Sequence, residues 1–314
     1  MDIKQVCQFL AGAIDKGQRC VLVTVVAVEG SSMRNPGTIM GVAEDGSFEG
    51  SLSGGCIENA VVAEARRVFD AGAARIVRFG AGSPYLDIKL PCGGGLDLHF
   101  QPLADAGLAL ECLNSIAERS PFSIRLGPDG ARHVSEWMPA TFDAREGTAT
   151  FGHWPQPLLQ IVGHGAGVEA LAVLGRTHGC STRILTPDER MIGGLTAQGI
   201  EATLLERTSQ TDLLASDRWT ATIFLFHDHD WEIDLMRCAL EQPHFYLGAM
   251  GGRKAHAFRT DALSRKGLSD EALSMIRAPI GLFHSSRDPR TLALSTLGEV
   301  IRTYEETRFE NDLG

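Results

Sequence analysis

Cys56 is the residue of the first half whose surroundings best suit chemistry. It follows Gly54 and Gly55 and precedes residues 57–69, whose apolar side chains recur at helical spacing. A cysteine at the start of a helix lies at the positive end of the helix dipole, which favours the thiolate. Adjacent glycines let another molecule approach the backbone, and free helical amides can hold an anion. The alternative is a small residue buried between the helix and the preceding hairpin.

Cys92 and Arg34 are the other candidates in this half. Cys92 precedes Gly93 and two further glycines, which give the backbone unusual freedom. Because both cysteines lie beside glycines, we expect Cys56 and Cys92 to approach one cleft. Arg34 lies in the turn-rich segment 30–37 and can bind a phosphate or a carboxylate. A solvated turn arginine is the simpler interpretation of that residue.

The second half carries a glycine-rich turn where a dinucleotide site would lie. Gly163, His164, Gly165 and Gly167 follow an apolar run and open a helical segment. Rossmann-type folds hold a pyrophosphate at such a strand-to-helix turn. Val168 replaces the third glycine of the G-x-G-x-x-G pattern, so we expect NAD to bind weakly or not at all. A tight turn explains the other glycines almost as well.

Two more segments whose side chains can bind a metal or an anion follow apolar runs in the second half. His227 begins His-Asp-His-Asp, which ends at Asp230 and offers imidazole and carboxylate groups to a metal. A helix cap formed by one of the aspartates is the alternative, since no third group of ligands is evident. Arg253 follows two glycines. It can bind an anion, or the segment only reverses the chain.

The elements that position these residues differ between the two halves. The first half contains an amphipathic segment at the N-terminus, a β-branched run at 20–28 and a hairpin signal at Asp45 and Gly46. These features predict a mixed α/β domain over residues 1–155, which includes a connecting segment. The prolines at 155 and 157 mark the boundary. Beyond them, short apolar runs alternate with helical stretches, which predicts a Rossmann-like domain with a parallel sheet over 156–314.

The last helix has a clear start signal. Asp288 is predicted to cap it, with Pro289 in its first turn. Apolar residues at helical spacing are predicted to be buried along it, namely Ala293, Leu297, Val300, Ile301 and Tyr304.

Composition and charge exclude several classes of protein. Of the 314 residues, 44% are hydrophobic and 22% are charged, which is typical of a folded globular chain. A net charge of −10 argues against a nucleic-acid partner. Seven cysteines without CxxC spacing support neither a disulfide scaffold nor a zinc ribbon. With no secretory signal and no apolar run near the roughly 20 residues that cross a bilayer, we expect a cytoplasmic location and no membrane partner.

Taken together, these segments resemble the XdhC/CoxI family, accessory proteins of xanthine dehydrogenase and related molybdenum hydroxylases. The resemblance covers both domains in chain order. In the first domain it is carried by Gly30, Ser31, Arg34, Gly37, Gly54, Gly55, Cys56, Ile57, Glu58, Cys92, Gly93 and Gly94. In the second domain it is carried by the turn at Gly163, residues 227–230, residues 246–249 with Arg253, residues 279–282, and residues 293–295.

This chain departs from the family pattern at several positions. Ser53 stands where a glycine is usual, Met33 where proline is common, and Gly252 where serine often precedes the arginine. The glycine turn reads Gly-His-Gly-Ala-Gly instead of Gly-Ala-Gly-His. The last departure bears directly on nucleotide binding by this turn.

The resemblance implies a chaperone that binds molybdenum cofactor (molybdopterin) transiently and hands it to an apo molybdenum hydroxylase. A sulfur donor such as a cysteine desulfurase would take part in maturation, and a homodimer is left open. The chaperone itself would not be a catalyst. The implied cofactor-binding residues are Arg34, Gly54, Gly55, Cys56, Glu58, Cys92, Gly93, Gly163, His164, Gly165, Gly167, His227 and Arg253.

Two other functions stay open at this point. The main alternative is an NAD(P)-dependent oxidoreductase, with its cofactor on the turn at 163–167 and its chemistry at Cys56 or His227. The second is a metal-dependent hydrolase built around His227, His229 and Asp230.

Overall fold

The chain folds into two units of different architecture. Its computed structural model describes residues 3–30, 34–55, 57–83, 93–228, 231–283 and 287–312. The units are Met1–Pro155 and Gln156–Gly314, and they meet in sequence at the Pro-Gln-Pro segment. No helix within the described ranges is long and apolar enough to cross a membrane.

The first unit is built on a five-stranded antiparallel sheet. Its strands are β1 (Cys20–Glu29), β2 (Ile39–Ala43), β3 (Phe48–Glu49), β4 (Arg75–Gly80) and β5 (Gly95–Leu103), in the order β3-β2-β1-β5-β4. Both faces of β1 are buried, because alternate residues point to opposite sides of the sheet. Val21 and Val23 pack with helix α2 (Glu58–Ala71), and Leu22 packs with α1 (Ile3–Asp15) and α3 (Gly107–Ala117).

The predicted hairpin at Asp45 and Gly46 is confirmed, and its second strand has only two residues. Strand β3 ends at Glu49 because Gly50, at φ 106°, turns the chain away from the sheet. A side chain at Gly50 would meet the carbonyl oxygen of Ile39 at 2.8 Å. The close approach of two backbones therefore requires glycine at this position.

A second antiparallel sheet completes the first unit. It contains β6 (Phe122–Gly127), β7 (Gly130–Val134), β8 (Thr141–Asp143) and β9 (Thr148–His153), in the order β7-β6-β9-β8. Phe122, Ile124 and Phe151 are buried in the same core cluster as α1 and α3. The sequence predicts only short strand-like pieces here, so this sheet is a feature that the structure adds.

The second unit is a parallel sheet covered by helices, as predicted. Its strands are β10 (Leu158–Gly163), β11 (Ser181–Thr186), β12 (Ala202–Leu204), β13 (Thr220–Leu225), β14 (Tyr246–Ala249) and β15 (Ile276–Arg277). They lie in the order β12-β11-β10-β13-β14-β15. Within this unit that order is 3-2-1-4-5-6, the topology of doubly wound dinucleotide-binding folds. The crevice of such a sheet opens where the order reverses, beside β10.

The helices of the second unit lie between its strands and after the last strand. They are α4 (Ala166–His178), α5 (Glu189–Ala197), α6 (Glu232–Leu240), α7 (Arg253–Arg265), α8 (Asp270–Ser274) and α9 (Pro289–Glu306). Short 3₁₀ helices lie at Thr211–Leu214 and Phe309–Asp312.

The start of α9 confirms the predicted cap. The Asp288 carboxylate accepts a hydrogen bond from the Thr291 amide at 2.7 Å, and Pro289 is the first helical residue. Of the residues predicted to be buried, Ile301 and Tyr304 are only half-buried. Tyr304 instead lies edge-on against Phe245, with ring centroids 5.3 Å apart.

An ion pair without exposed side-chain surface joins α6 to α7. Glu232 and Arg259 are both 0% exposed. The Arg259 guanidinium donates to Glu232 Oε2 from Nε at 2.9 Å and from Nη2 at 2.7 Å, and Nη2 also donates to the Met250 carbonyl at 2.9 Å. This ion pair links α6, which follows β13, to α7, which follows β14.

We expect Arg259→Leu to lower the free energy of unfolding by about 3–5 kcal/mol, because it leaves the Glu232 carboxylate buried without its guanidinium. Arg265→Leu is the matched control, since Arg265 and its partner Asp261 lie exposed on the same helix. The control should lose less than about 1 kcal/mol. Urea unfolding followed by circular dichroism measures both, and equal losses would contradict the prediction.

Candidate functional site

Glu58 holds the loop that carries the glycines before Cys56. Its carboxylate accepts five hydrogen bonds from residues 51–57, and its side chain is buried, with 5% of the residue exposed. Oε1 accepts from Ser51 Oγ at 2.8 Å and from the amides of Leu52 and Ser53 at 3.0 Å. Oε2 accepts from Ser53 Oγ at 2.9 Å and from the Ile57 amide at 3.1 Å. One side chain therefore accepts hydrogen bonds from three amides and two hydroxyls of the loop.

These contacts control the ionisation of Glu58. Burial alone would raise the pKa of the carboxyl group, but hydrogen bonds from Ser51 and Ser53 outweigh burial and lower the pKa to about 2. The charge also lies in the first turn of α2, where the helix dipole favours an anion. Glu58 is thus a buried anion at neutral pH, with its oxygens turned toward the loop itself.

Gly54 and Gly55 form the outer surface of this loop. Both are exposed, with φ values of 80° and 108°, and no described atom lies within 4 Å of a Cβ built on either residue. The Gly54 amide donates to Ser51 Oγ at 2.9 Å. The loop thus presents bare backbone to its surroundings.

Two other loops reach the same end of the sheet. Arg34 Nε donates to the Ser51 carbonyl at 3.1 Å, which joins the segment after β1 to the glycine loop. Gly30 lies against Gly94, whose Cα is 3.4 Å from a Cβ built on Gly30. Gly93, at φ 70°, is exposed with open space around it. Arg34 therefore lies beside the loop of Gly54 and Gly55, and Gly94 lies beside Gly30 at the end of β1.

Cys56 and Cys92 lie outside the described residues, as do His229 and Asp230. The described flanks of the two cysteines are Gly55, Ile57 and Gly93. The shared cleft for the two thiols accordingly stays a prediction.

In the second unit, Gly163 is required by packing. It lies at the end of β10 opposite Leu225, and a Cβ there would collide with the Leu225 carbonyl. Gly165 precedes α4 at φ 91° with open space around it. Val168 is fully buried in the core below. The turn thus combines a glycine needed for strand pairing with one that leaves the helix start accessible, and Gly167 follows inside α4.

His164 and His227 come together at this edge. Their rings are 6.3 Å apart at 64°, and His164 also lies edge-on to Phe226 at 5.7 Å. Among the described residues, nothing forms a hydrogen bond to the buried Nδ1 of His164. His227 is exposed. Arg253 lies one strand further along, exposed at the first position of α7, after Gly252.

A cavity of about 430 Å³ lies beside His164 at the carboxyl ends of β10 and β11. Its lining is His164, Pro187, Asp188, Glu189, Arg190 and Trp231. Trp231 stacks on Phe226 with centroids 6.1 Å apart. Asp188 caps α5 through the Arg190 amide at 3.0 Å. An indole face, an imidazole, a guanidinium and carboxylates make the lining suitable for an aromatic ring that carries polar groups.

The sequence did not single out Trp231 or Arg190 as site residues. Arg190 lies in the first turn of α5 and Trp231 lies directly before α6, and only the neighbouring strands bring the two residues to one cavity. The acidic residue after the second strand, Asp188, was the one available signal. Among the described residues, no group of three His, Cys, Asp or Glu side chains is arranged to hold a metal.

The antiparallel sheets of the first unit and the doubly wound sheet of the second define a two-domain α/β protein with a Rossmann-like domain. Family models identify its family. The XdhC and CoxI family model matches residues 13–80, and the XdhC Rossmann domain model matches residues 159–300. The chain belongs to the XdhC and CoxI family.

Three known proteins are similar to this chain over most of its length. The molybdenum cofactor insertion chaperone PaoD of Escherichia coli K12 is 33% identical over 307 residues, which cover 97% of this chain and 90% of PaoD. A probable xanthine dehydrogenase subunit from Bacillus subtilis is 21% identical, with 94% and 96% of the two chains covered. A crystal structure from Bacillus halodurans, described as a xanthine dehydrogenase, shares the fold with a TM-score of 0.79 at 20% identity, covering 98% of this chain and 97% of that chain.

We expect Glu58→Gln to lower the free energy of unfolding by about 1–3 kcal/mol at neutral pH, because charge-assisted hydrogen bonds in a buried loop are lost. The folded pKa of about 2 lies below the ordinary value of 4.5. The carboxylate therefore stabilises the fold above pH 4.5, and this contribution falls as the pH drops toward 2. The gap between wild type and variant should shrink over that interval.

Denaturant unfolding at a series of pH values measures the gap. Asp70→Asn is the matched control, because Asp70 is exposed on the same helix, and it should change stability by no more than about 0.5 kcal/mol. A gap that stays constant from neutral pH down to pH 2 would show that the carboxylate charge does not hold the loop.

Proposed function

We propose that this chain is a molybdenum cofactor insertion chaperone, which takes up the cofactor, takes part in its maturation and delivers it to a molybdenum hydroxylase of the xanthine dehydrogenase type. The observation that carries the proposal is the 33% identity to PaoD over 97% of the chain. Family membership and the order of the loops in both units support it.

The first unit contributes a surface suited to an anionic, sulfur-bound metal cargo. The bare backbone at Gly54 and Gly55 allows a flat pterin to approach closely. The Arg34 guanidinium lies beside that loop and suits a phosphate. Cys56, directly after the glycines, supplies a soft thiolate for molybdenum. Cys92 and Gly93 extend the proposed surface from the adjacent loop.

Glu58 has a different role within this proposal. It lies among the residues that we expected to bind the cofactor, but its oxygens accept hydrogen bonds from the loop. We assign it the positioning of Gly54, Gly55 and Cys56. Ser53 fits the same role, since its hydroxyl donates to Glu58 and accepts from the Ile57 amide at 3.1 Å.

The second unit contributes cationic and aromatic groups at the carboxyl edge of the sheet. Gly165 and Gly167 lie at the start of α4, where an anionic group of the cargo can bind. His164 and His227 stand beside this turn, and Arg253 lies at the start of α7. We propose that these residues also bind anionic groups of the cargo.

The partners follow from the same proposal. The receiving protein is an apo molybdenum hydroxylase, and a cysteine desulfurase is the proposed source of sulfur. Uptake and delivery are binding steps, so the chain needs no catalytic residue of its own. We place these steps in the cytoplasm, and we propose that NAD is not the bound cofactor.

Gly54→Ala should reduce retention of molybdenum cofactor several-fold, because a methyl group then protrudes from the proposed binding surface. Gly72→Ala is the matched control: Gly72 also has a positive φ, 63°, and open space around it, at the C-terminal end of α2. Both changes should cost roughly 1 kcal/mol of stability through backbone strain. Molybdenum and pterin that co-elute with each purified variant give the retention.

Cys56→Ala should also lose the cofactor under anaerobic loading, while its thermal unfolding is unchanged. Cys180→Ala serves as control, because Cys180 is buried in the second unit. Normal retention by Cys56→Ala would remove Cys56 from the site, and loss of retention by both variants would point to a general effect on folding.

Calorimetric titration with NAD and NADP tests the oxidoreductase alternative. We expect weak binding or none, because Val168 takes the place of the glycine that lets helix and strand pack closely around the pyrophosphate. Tight binding with one site per chain would favour the oxidoreductase over the chaperone.

A further inference from the structure

The exposed faces of α4 and α9 carry an apolar groove that the proposed function does not use. The two helices pack together in the second unit, and the groove between their outer faces has a volume of about 710 Å³. Val173 on α4 is 41% exposed and Leu294 on α9 is 55% exposed. Ala166, Ala170 and Ala293 also line the groove. Small side chains there leave room for another surface to approach closely.

Charges of opposite sign flank the apolar residues. Glu169 lies four residues before Val173, and Arg290 lies four residues before Leu294. A spacing of four puts each charge on the same helix face as its apolar neighbour. Both charged residues line the groove. Within the described part of the chain, neither Glu169 nor Arg290 forms an ion pair.

The apolar stripe continues along α9. Leu282, which is 42% exposed, lies against Gly298, and a Cβ at Gly298 would be 2.9 Å from Leu282 Cδ1. Gly298 is again four residues beyond Leu294. The outer face of α9 therefore carries Arg290 and the exposed Leu294, and Leu282, which precedes the helix, covers the next turn at Gly298.

We propose that this groove is the interface of a homodimer in which α4 of one protomer packs on α9 of its partner. In a two-fold interface, contacts are reciprocal. If Glu169 contacts the partner's Arg290, then Arg290 contacts the partner's Glu169. The same two-fold symmetry places Val173 of each protomer against Leu294 of the other, which gives two equivalent contacts. Glu169 and Arg290 of one protomer are therefore complementary in charge to Arg290 and Glu169 of the partner.

A second copy of this chain fits the groove better than another protein for an electrostatic reason. The net charge of −10 makes two copies repel each other at long range. An interface between copies then needs a local region where acid and base balance, and the α4–α9 groove supplies one on a single face. An acidic partner would meet Glu169, and a basic partner would meet Arg290.

Charge reversal on the full-length chain tests this arrangement. We expect the wild type to sediment as a dimer in analytical ultracentrifugation. Glu169→Arg and Arg290→Glu should each weaken self-association about tenfold or more, because two attractions become two repulsions. An equimolar mixture of the two variants should dimerise again, since both ion pairs then have opposite signs. Arg302→Glu, at an exposed position of α9, is the matched control and should change nothing.

Circular dichroism and thermal unfolding of each variant confirm that the surface changes leave the fold intact. Leu294→Ser provides a second route that changes no charge, and it should also weaken the dimer. The proposal is overturned by a wild type that stays monomeric at high concentration, which would leave the groove to a different protein. It is equally overturned by a dimer that both charge reversals leave unchanged, or by a mixture that does not recover.

Discussion

The hydrogen bonds accepted by the Glu58 carboxylate are the interaction on which the first unit's loop depends. Residues 51–55 and Ile57 have no regular secondary structure, so their backbone amides need another partner inside the protein. One carboxylate supplies it, and α2, which begins at the same residue, connects that carboxylate to the core through Val61 and Ala65. The loop can face outward with bare glycines because amides and hydroxyls on its inner side bond to this carboxylate.

Glycine has two distinct uses in this chain, and the sequence alone does not separate them. Gly50 and Gly163 lie where a side chain would collide with the backbone of Ile39 or Leu225, residues distant in sequence. Gly54 and Gly165 lie in open space. Only contacts made by tertiary folding distinguish a glycine needed for packing from one that is open to a ligand. The glycine-rich turns were therefore predictable as turns, but the structural role of each glycine was not.

Much of the fold could be predicted because its signals are local. The β-branched run of β1, the Asp-Gly hairpin and the Asp288 cap each act over a few residues. Strand β15 has two residues and leaves no periodic pattern. The cavity beside His164 escaped prediction because Trp231 and Arg190 lie at the starts of two different helices, which only the parallel sheet brings together. Glu58 was identified through the family motif, whereas its hydrogen bonds to the inner side of the loop appear only in the folded structure.

The bare backbone of the Glu58-held loop has a consequence for the timing of binding. A long side chain loses up to about 2 kcal/mol of rotamer entropy when a contact immobilises it, whereas glycine has no side chain to immobilise. A surface built from Gly54 and Gly55 on an already ordered loop can therefore meet a molecule without first losing side-chain freedom. It also need not rearrange when that molecule departs. The residence time of the bound molecule then depends on its direct contacts and on competition from a receiving protein. This suits a carrier that must release what it binds.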